Sequence, residues 1–470
     1  MTRPITIRLP RFENGPLTVA RIASALPAVL VKSLTNQLRV GQAGQPTASH
    51  IRTCPGRAVR HQLDEPALDW RAKGFWQPDG PVPDAAFGAA GHSLFGGAVT
   101  WPVLAVRRSA VAHNVATMAE FCARHGFSFA PHGKTSMAPS LLDAQLSAGA
   151  WAITVATANQ ALACRALGVP RVLLANELLD PEPLRWLARE VDRGFEALFF
   201  VDSVAGVEAI GAALADRPAG APLRVLVELG FPGGRTGCRT VEQVVEVAEA
   251  LAATRVRLDG VAGYEGGLPD GAAVSAYLRR LRTAATELAR RGLVGPEVIV
   301  SAGGSAWFDL VAEELGGAWL TGHDLRVVLR SGAYVTHDHG FYAAHTPFRR
   351  IPGQGRLDAA LELWAQVTST PEPGLAIVGM GKRDAPYDEG LPVPLRIRRR
   401  SGVEHAVTGM SVSRLNDHHG YLSVPPDVEL YPGDLVCFGI SHPCTAFDKW
   451  RVLPVVDDDH TIVDLLRTYF

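Results

Sequence analysis

Between about Pro102 and Tyr334, short apolar runs alternate with longer stretches of helical spacing. The runs are Phe127–Ala130, Ala152–Ala156, Arg171–Ala175, Ala197–Val201, Arg224–Leu229, Gly260–Tyr264, Val298–Ser301 and Leu325–Leu329. The segments between them, such as Thr240–Ala252 and Val274–Arg291, are rich in Ala, Leu, Glu and Arg. Strand followed by helix, repeated over eight units, predicts a parallel sheet covered by helices. Eight units within roughly 230 residues predict an α/β fold of the (β/α)8 TIM-barrel type. An open doubly wound sheet is the alternative, but it more often shows six strands.

After Tyr334 the helical spacing gives way to short strands separated by Gly, Pro and Asp. Ala376–Gly379, Leu395–Arg398, His405–Gly409, Leu435–Phe438 and Val452–Val455 predict a β-rich C-terminal domain. The expected organisation is residues 1–60 as an N-terminal extension, 61–340 as the barrel and 341–470 as the β domain. In the extension, the apolar Ile22–Val31 is followed by the polar Gln37–Ser49, a texture typical of a loosely attached, often disordered segment.

The chain has 470 residues, of which 47% are hydrophobic, enough for a large buried core. A formal net charge of −1 gives no basic surface for nucleic acid or an anionic membrane. No apolar run is long enough to span a bilayer. The first ten residues lack the pattern of a secretory signal. Six cysteines without close, repeated spacing read as reduced thiols. A soluble cytoplasmic enzyme acting on a small molecule is the expectation.

Three places carry chemistry. Lys134, in Pro131–His132–Gly133–Lys134–Thr135, follows the first barrel strand. Active sites of such barrels form at the C-terminal ends of the strands. A partly desolvated lysine there has a lowered pKa and can form a Schiff base. Taken alone, a lysine at a strand end is most often solvated. Ser301–Ala302–Gly303–Gly304 follows the seventh strand, where backbone N–H groups of such barrels commonly hold phosphate. Lysine and glycine loop together describe a phosphorylated aldehyde cofactor. Arg235 could pair with a cofactor phenolate or a substrate carboxylate, and the Tyr264 ring could pack on the cofactor. The third place is His442–Pro443–Cys444. An imidazole and a thiol spaced by one residue on a strand would face the same side and suit zinc. A bare His-x-Cys is more often a core pair. His418 and His419 are further candidates as ligand or base.

With these motifs in place, the chain resembles the D-serine dehydratase and D-threonine aldolase group of alanine-racemase-like (fold type III) pyridoxal-phosphate enzymes. It is most similar to bacterial proteins of the amino acid deaminase type. The resemblance runs from about Leu68–Asp69–Trp70 to the C-terminus. It rests on Pro131–His132–Gly133–Lys134–Thr135, Gly149–Ala150–Trp151, Leu174–Ala175–Asn176–Glu177, Arg235–Thr236–Gly237 and Tyr264–Glu265–Gly266. It continues through Ser301–Ala302–Gly303–Gly304, Ser331–Gly332–Ala333–Tyr334, Tyr431–Pro432–Gly433–Asp434 and His442–Pro443–Cys444–Thr445. The resemblance implies a homodimer that uses pyridoxal 5'-phosphate and zinc or another divalent metal. It implies that Lys134, His442 and Cys444 are catalytic, the last two binding the metal. It implies cofactor contacts from Lys134, His132, Arg235, Tyr264, Ser301, Gly303, Gly304 and Tyr334. His-x-Cys, rather than His-x-Asp, places the chain with dehydratases that convert a D-β-hydroxy amino acid such as D-serine or D-threonine to a 2-oxo acid and ammonia. A D-threonine aldolase-type cleavage, or a racemase, is the alternative. Two positions depart from the family pattern. Gly267 stands where histidine often follows Tyr-x-Gly, and His418–His419 stands where Glu-His is common.

Overall fold

The computed structural model describes residues 67–470. The expectation for residues 1–60 therefore lies outside the described residues. Strand β1 (Val103–Arg107) precedes the barrel strands: β2 (Ser128–Phe129), β3 (Ile153–Val155), β4 (Arg171–Glu177), β5 (Glu196–Val201), β6 (Arg224–Leu229), β7 (Arg257–Gly263), β8 (Glu297–Ala302) and β9 (Asp324–Leu329). All eight expected barrel strands are present. They form one parallel sheet in the order β2-β9-β8-β7-β6-β5-β4-β3. The ring closes between its ends through a parallel bridge, His132 to Thr154, with Thr154 N–H donating to Pro131 O at 2.9 Å.

Local chemistry explains the alternation. Five helices after barrel strands start on a side-chain cap: Thr157, Asp180, Ser203, Thr240 and Asp270 each accept a backbone N–H of the first turn. Thr240 and Gln243 form a reciprocal capping box. Inside the ring, small Ala130, Ala152 and Ala262 interdigitate with Leu173, Leu198 and Ile299, all buried. The ring is therefore a packed floor, and its C-terminal mouth is the only end that gathers the candidate residues.

The remaining strands are β10 (Leu361–Glu372), β11 (Leu375–Val378), β12 (Val393–Arg398), β13 (Glu404–Ala406), β14 (Ser411–Leu415), β15 (Gly420–Ser423), β16 (Leu435–Gly439), β17 (Val452–Val456) and β18 (Ile462–Arg467). They build a second sheet in the order β13-β12-β16-β10-β1-β17-β18, with β11, β15 and β14 continuing from β10. The structure differs here from the expected boundary at residue 61. Strand β1 sits in the middle of this second sheet, antiparallel to β10 and parallel to β17. Residues 68–99 pack with it: Leu68, Phe75, Phe87 and Leu94 share a core with Trp364, Cys437 and Ile462. The β domain thus takes strands from both sides of the barrel in sequence. Strand β1 resembles a barrel strand in sequence because both its faces are buried, Val103 and Ala105 toward one core and Leu104 and Val106 toward the other.

Candidate active site

Lys134 lies in a single 3-10 turn, Gly133–Thr135, at the end of β2. The turn fits tightly against its surroundings. A Cβ on Gly332 would lie 2.7 Å from His132 Cβ and 2.8 Å from Thr135 Oγ1. Lys134 is half-buried. Burial lowers its pKa, neighbouring Arg235 and Arg330 add to this, and Cys444 opposes it. His132 is held well below the usual histidine range, first by burial and then by Lys134, Arg330 and Arg235. Its Nδ1 is buried with no hydrogen-bond partner.

Across the mouth, Arg330 is buried at the end of β9. It donates to Ser301 Oγ and to Gly263 O, each at 2.6 Å. Ser301 is thereby committed, since its own hydroxyl donates to Val328 O at 3.1 Å. The loop of Gly303 and Gly304 shows its anion-binding character directly. The Gly303 N–H donates to Glu265 Oε2 at 3.2 Å and the Gly304 N–H to Glu265 Oε1 at 2.5 Å. Gly303 has φ +97°, and a Cβ on Gly304 would press on the Tyr264 ring at 3.0 Å. The Arg235 guanidinium lies over Tyr264, 4.6 Å from the ring centroid. Beside them is a cavity of about 220 Å³, walled by Gly230, Gly233, Gly234 and Gly266, with Arg235 and Tyr264 on its lining and Glu228 at one side. The Glu228 carboxyl meets that of Glu177. Burial first, then Glu228, pushes Glu177 up to about 8, so Glu177 holds its proton through neutral pH. A larger groove of about 490 Å³, between residues 67–72 and 448–470, holds none of the expected site residues.

His442 and Cys444 reach the same mouth from the β domain. The strand expected to carry them ends earlier: β16 stops at Gly439, His442 lies in the following turn, and Cys444 opens a short helix. The turn still brings imidazole and thiol together. Their hydrogen bond is the largest of the causes that raise His442 to about 9. The other main partner is Asp388, whose Oδ2 lies 2.6 Å from His442 Nδ1, while Thr445 Oγ1 donates to Asp388 Oδ1 at 2.7 Å. Cys444 Sγ lies 3.4 Å from Thr135 Oγ1, the residue after Lys134. No cluster of three or more His, Cys, Asp or Glu side chains suited to a metal occurs among the described residues. The donor set is a soft thiol, an imidazole and a carboxylate that orients that imidazole. This fits a metal with two protein ligands and open positions.

The fold therefore gathers Lys134, His132, Arg235, Tyr264, Ser301, Gly303, Gly304, His442 and Cys444 at one mouth. Tyr334 is placed elsewhere. It is buried against Phe129 with its hydroxyl accepting from Gln145 at 3.1 Å, in the layer between barrel and helices. His418 and His419 are exposed on the turn between β14 and β15, and His418 approaches Asp384 rather than His442. Arg330, Glu265, the Glu177–Glu228 pair and Asp388 were not anticipated. Glu265 lay within a quoted motif, and Arg330 immediately follows the last apolar run of the barrel. Asp388 had no local signal at all.

A closed eight-stranded parallel barrel with a lysine at the end of its first strand, joined to an antiparallel β domain, is the alanine-racemase-like architecture. Comparison with known families agrees. Residues 106–315 match the family described as "Alanine racemase, N-terminal domain", and residues 360–456 match "Putative serine dehydratase domain". The chain thus matches both domain models on an alanine-racemase-like fold. It is 26% identical over 342 residues to 3-hydroxy-D-aspartate aldolase of Paracoccus denitrificans (strain Pd 1222), covering 71% of this chain and 84% of that one. It is 29% identical over 299 residues to D-threo-3-hydroxyaspartate dehydratase of Delftia sp. (strain HT23), covering 62% and 73%. The fold is shared with D-threonine aldolase from Filomicrobium marinum, with a TM-score of 0.67, 24% identity, and 79% and 95% of the two chains covered.

Proposed function

We propose that this protein is a pyridoxal-phosphate- and zinc-dependent lyase that dehydrates a D-β-hydroxy amino acid to a 2-oxo acid and ammonia. The observation that carries the reading is the meeting of Cys444 with Thr135, 3.4 Å apart, which sets the thiol–imidazole pair beside Lys134. Lys134 would hold the cofactor aldehyde, with His132, Tyr264 and Arg235 around the ring and the Gly303–Gly304 loop toward the phosphate. His442 and Cys444 would hold the metal. When bound, pyridoxal phosphate supplies an electron sink for the α carbon, and zinc supplies a Lewis acid for the β oxygen.

The chain's own residues do the rest. Burial lowers the pKa of Lys134, which would suit its amine to taking the α proton of the substrate. Arg235, free of any carboxylate partner among the described residues, is available to a cofactor phenolate or a substrate carboxylate. Asp388 holds the His442 ring through Nδ1 and would orient the imidazole toward a metal. Cleavage to glycine and an aldehyde uses nearly the same groups, and one relative is described as an aldolase, so the products decide.

The test is an assay of purified, zinc-loaded holoenzyme with D- and L-β-hydroxy amino acids. The holoenzyme should be yellow and should form 2-oxo acid from the D enantiomer in a chelator-sensitive way. Glycine plus aldehyde would move the protein to the aldolase side, and the opposite enantiomer would make it a racemase. Lys134→Ala should lose activity by at least about a thousandfold; substantial turnover in that variant would sink the assignment.

A further inference from the structure

Two hydrogen bonds tie the segment around Lys134 to the β domain. Thr135 Oγ1 lies 3.4 Å from Cys444 Sγ, and Tyr469 N–H donates to Met137 O at 3.1 Å. Between them the turn is closed by Met137 N–H on Gly133 O at 2.9 Å. The turn has little room to move. A Cβ on Gly133 would lie 2.9 Å from Ile153 Cγ2, and one on Gly332 would lie 2.8 Å from Thr135 Oγ1. The barrel strand and the Gly332 backbone therefore press on the turn and leave the threonine hydroxyl a fixed place.

Thr135 is 2% exposed, and among the described residues its hydroxyl has no hydrogen-bond partner other than the Cys444 sulfur. Threonine hydroxyls in turns more often bond to a backbone group nearby. This one reaches a side chain 309 residues away in sequence. Toward a thiol the contact is weak. A cysteine that ligates a metal does so as a thiolate, which can only accept. The bond then runs from the Thr135 hydroxyl to the sulfur and is charge-assisted.

We propose that Thr135 is a positioning residue whose hydroxyl donates to the Cys444 sulfur, holds it for the metal and draws off part of its charge. The assignment rests on the metal-dependent reading above and adds to it a group supplied by the barrel. The metal site is then not the work of the β domain alone. The turn that presents Lys134 also steadies the sulfur, so the two halves of the site are set against each other by one side chain.

Cobalt(II) in place of zinc reports on the sulfur directly, through the sulfur-to-metal charge-transfer band in the near ultraviolet. Thr135→Val keeps the shape of the side chain and removes the hydroxyl, and Thr135→Ser keeps the hydroxyl. In cofactor-loaded protein the band should move to lower energy in Thr135→Val, because a thiolate without its donor gives up charge more readily. In Thr135→Ser it should stay at the wild-type position. Zinc retention, measured by competition with a chromogenic chelator, should fall about tenfold in Thr135→Val and recover in Thr135→Ser. The visible band of the cofactor should be the same in all three proteins. An unmoved charge-transfer band in Thr135→Val would overturn the proposal, as would a shift that Thr135→Ser shares. A matching disturbance of the cofactor band would make Thr135 a support of the Lys134 turn and overturn it too. A wild-type cobalt spectrum that Cys444→Ala leaves unchanged would overturn the metal reading itself, which separates the two failures.

Discussion

At the scale of single residues, the site is a set of charges held in balance. Asp388 is exposed and far in sequence from the histidine it orients. Its replacement by Asn should weaken zinc retention about 10- to 100-fold, measured by competition with a chromogenic chelator, while the fold stays intact. Unchanged retention would mean that the His442 ring is held by other contacts. Glu177 gives a prediction in pH. Its folded pKa of about 8 lies above the ordinary 4.5, so across that window the folded chain binds more protons than the unfolded one. Stability then falls as pH rises through the window. Glu177→Gln should remove this loss, so its Tm advantage over wild type should widen from about pH 5 to about pH 8. A pH-independent difference would show that Glu177 does not hold the extra proton. Lys134, the glycine loop and the His-x-Cys pair could be read from sequence because each is a short motif with its chemistry in adjacent positions. Asp388 could not, because its partner is 54 residues away. Tyr334 could not be placed either. It follows the last barrel strand, as a site residue would, but its ring turns toward Phe129.

At the scale of elements, glycine decides how closely the two halves approach. Gly332 backs the Lys134 turn, where a Cβ would meet His132 Cβ, His132 O and Thr135 Oγ1 within 2.8 Å. Gly332→Ala should therefore cost about 1–3 kcal/mol of stability and lower cofactor occupancy, read from thermal unfolding and from visible absorbance. Full occupancy at unchanged stability would show that the turn can shift at little cost. The barrel strands were legible because they are buried parallel strands, apolar on both faces, and five of them, β3 to β7, are followed by a helix with a side-chain cap. The β domain was harder to read. Strand β10 has a buried, apolar first half and an exposed second half, so no single pattern spans it. Strands β14 and β15 are short and largely polar. The boundary at residue 61 was missed because β1 carries the same two-sided apolar signature as a barrel strand.

At the scale of the whole molecule, the β domain is discontinuous in sequence. Strand β1 separates β10 from β17, so residues 361–470 alone would leave the middle of their sheet open and expose Trp364 and Cys437. Such a fragment should show little stable β structure by circular dichroism and should aggregate through its unpaired strands. Adding a peptide of residues 67–107 should restore a cooperative transition. A stable, monomeric fragment without that peptide would contradict the arrangement. Among the described residues, no helix is long and apolar enough to cross a membrane.

The same threading has a consequence in time. On a ribosome, residues 67–107 emerge before the barrel, yet their partners in β10, β16 and β17 follow only after about 250 further residues, at least ten seconds of synthesis at common rates. The nascent β1 must wait, its apolar edges bare, while the barrel closes beside it. Of the residues gathered at the mouth, His442 and Cys444 arrive last. A partly made chain can thus have its lysine in place without the thiol and imidazole opposite it, and the mouth is complete only once the β domain has been made.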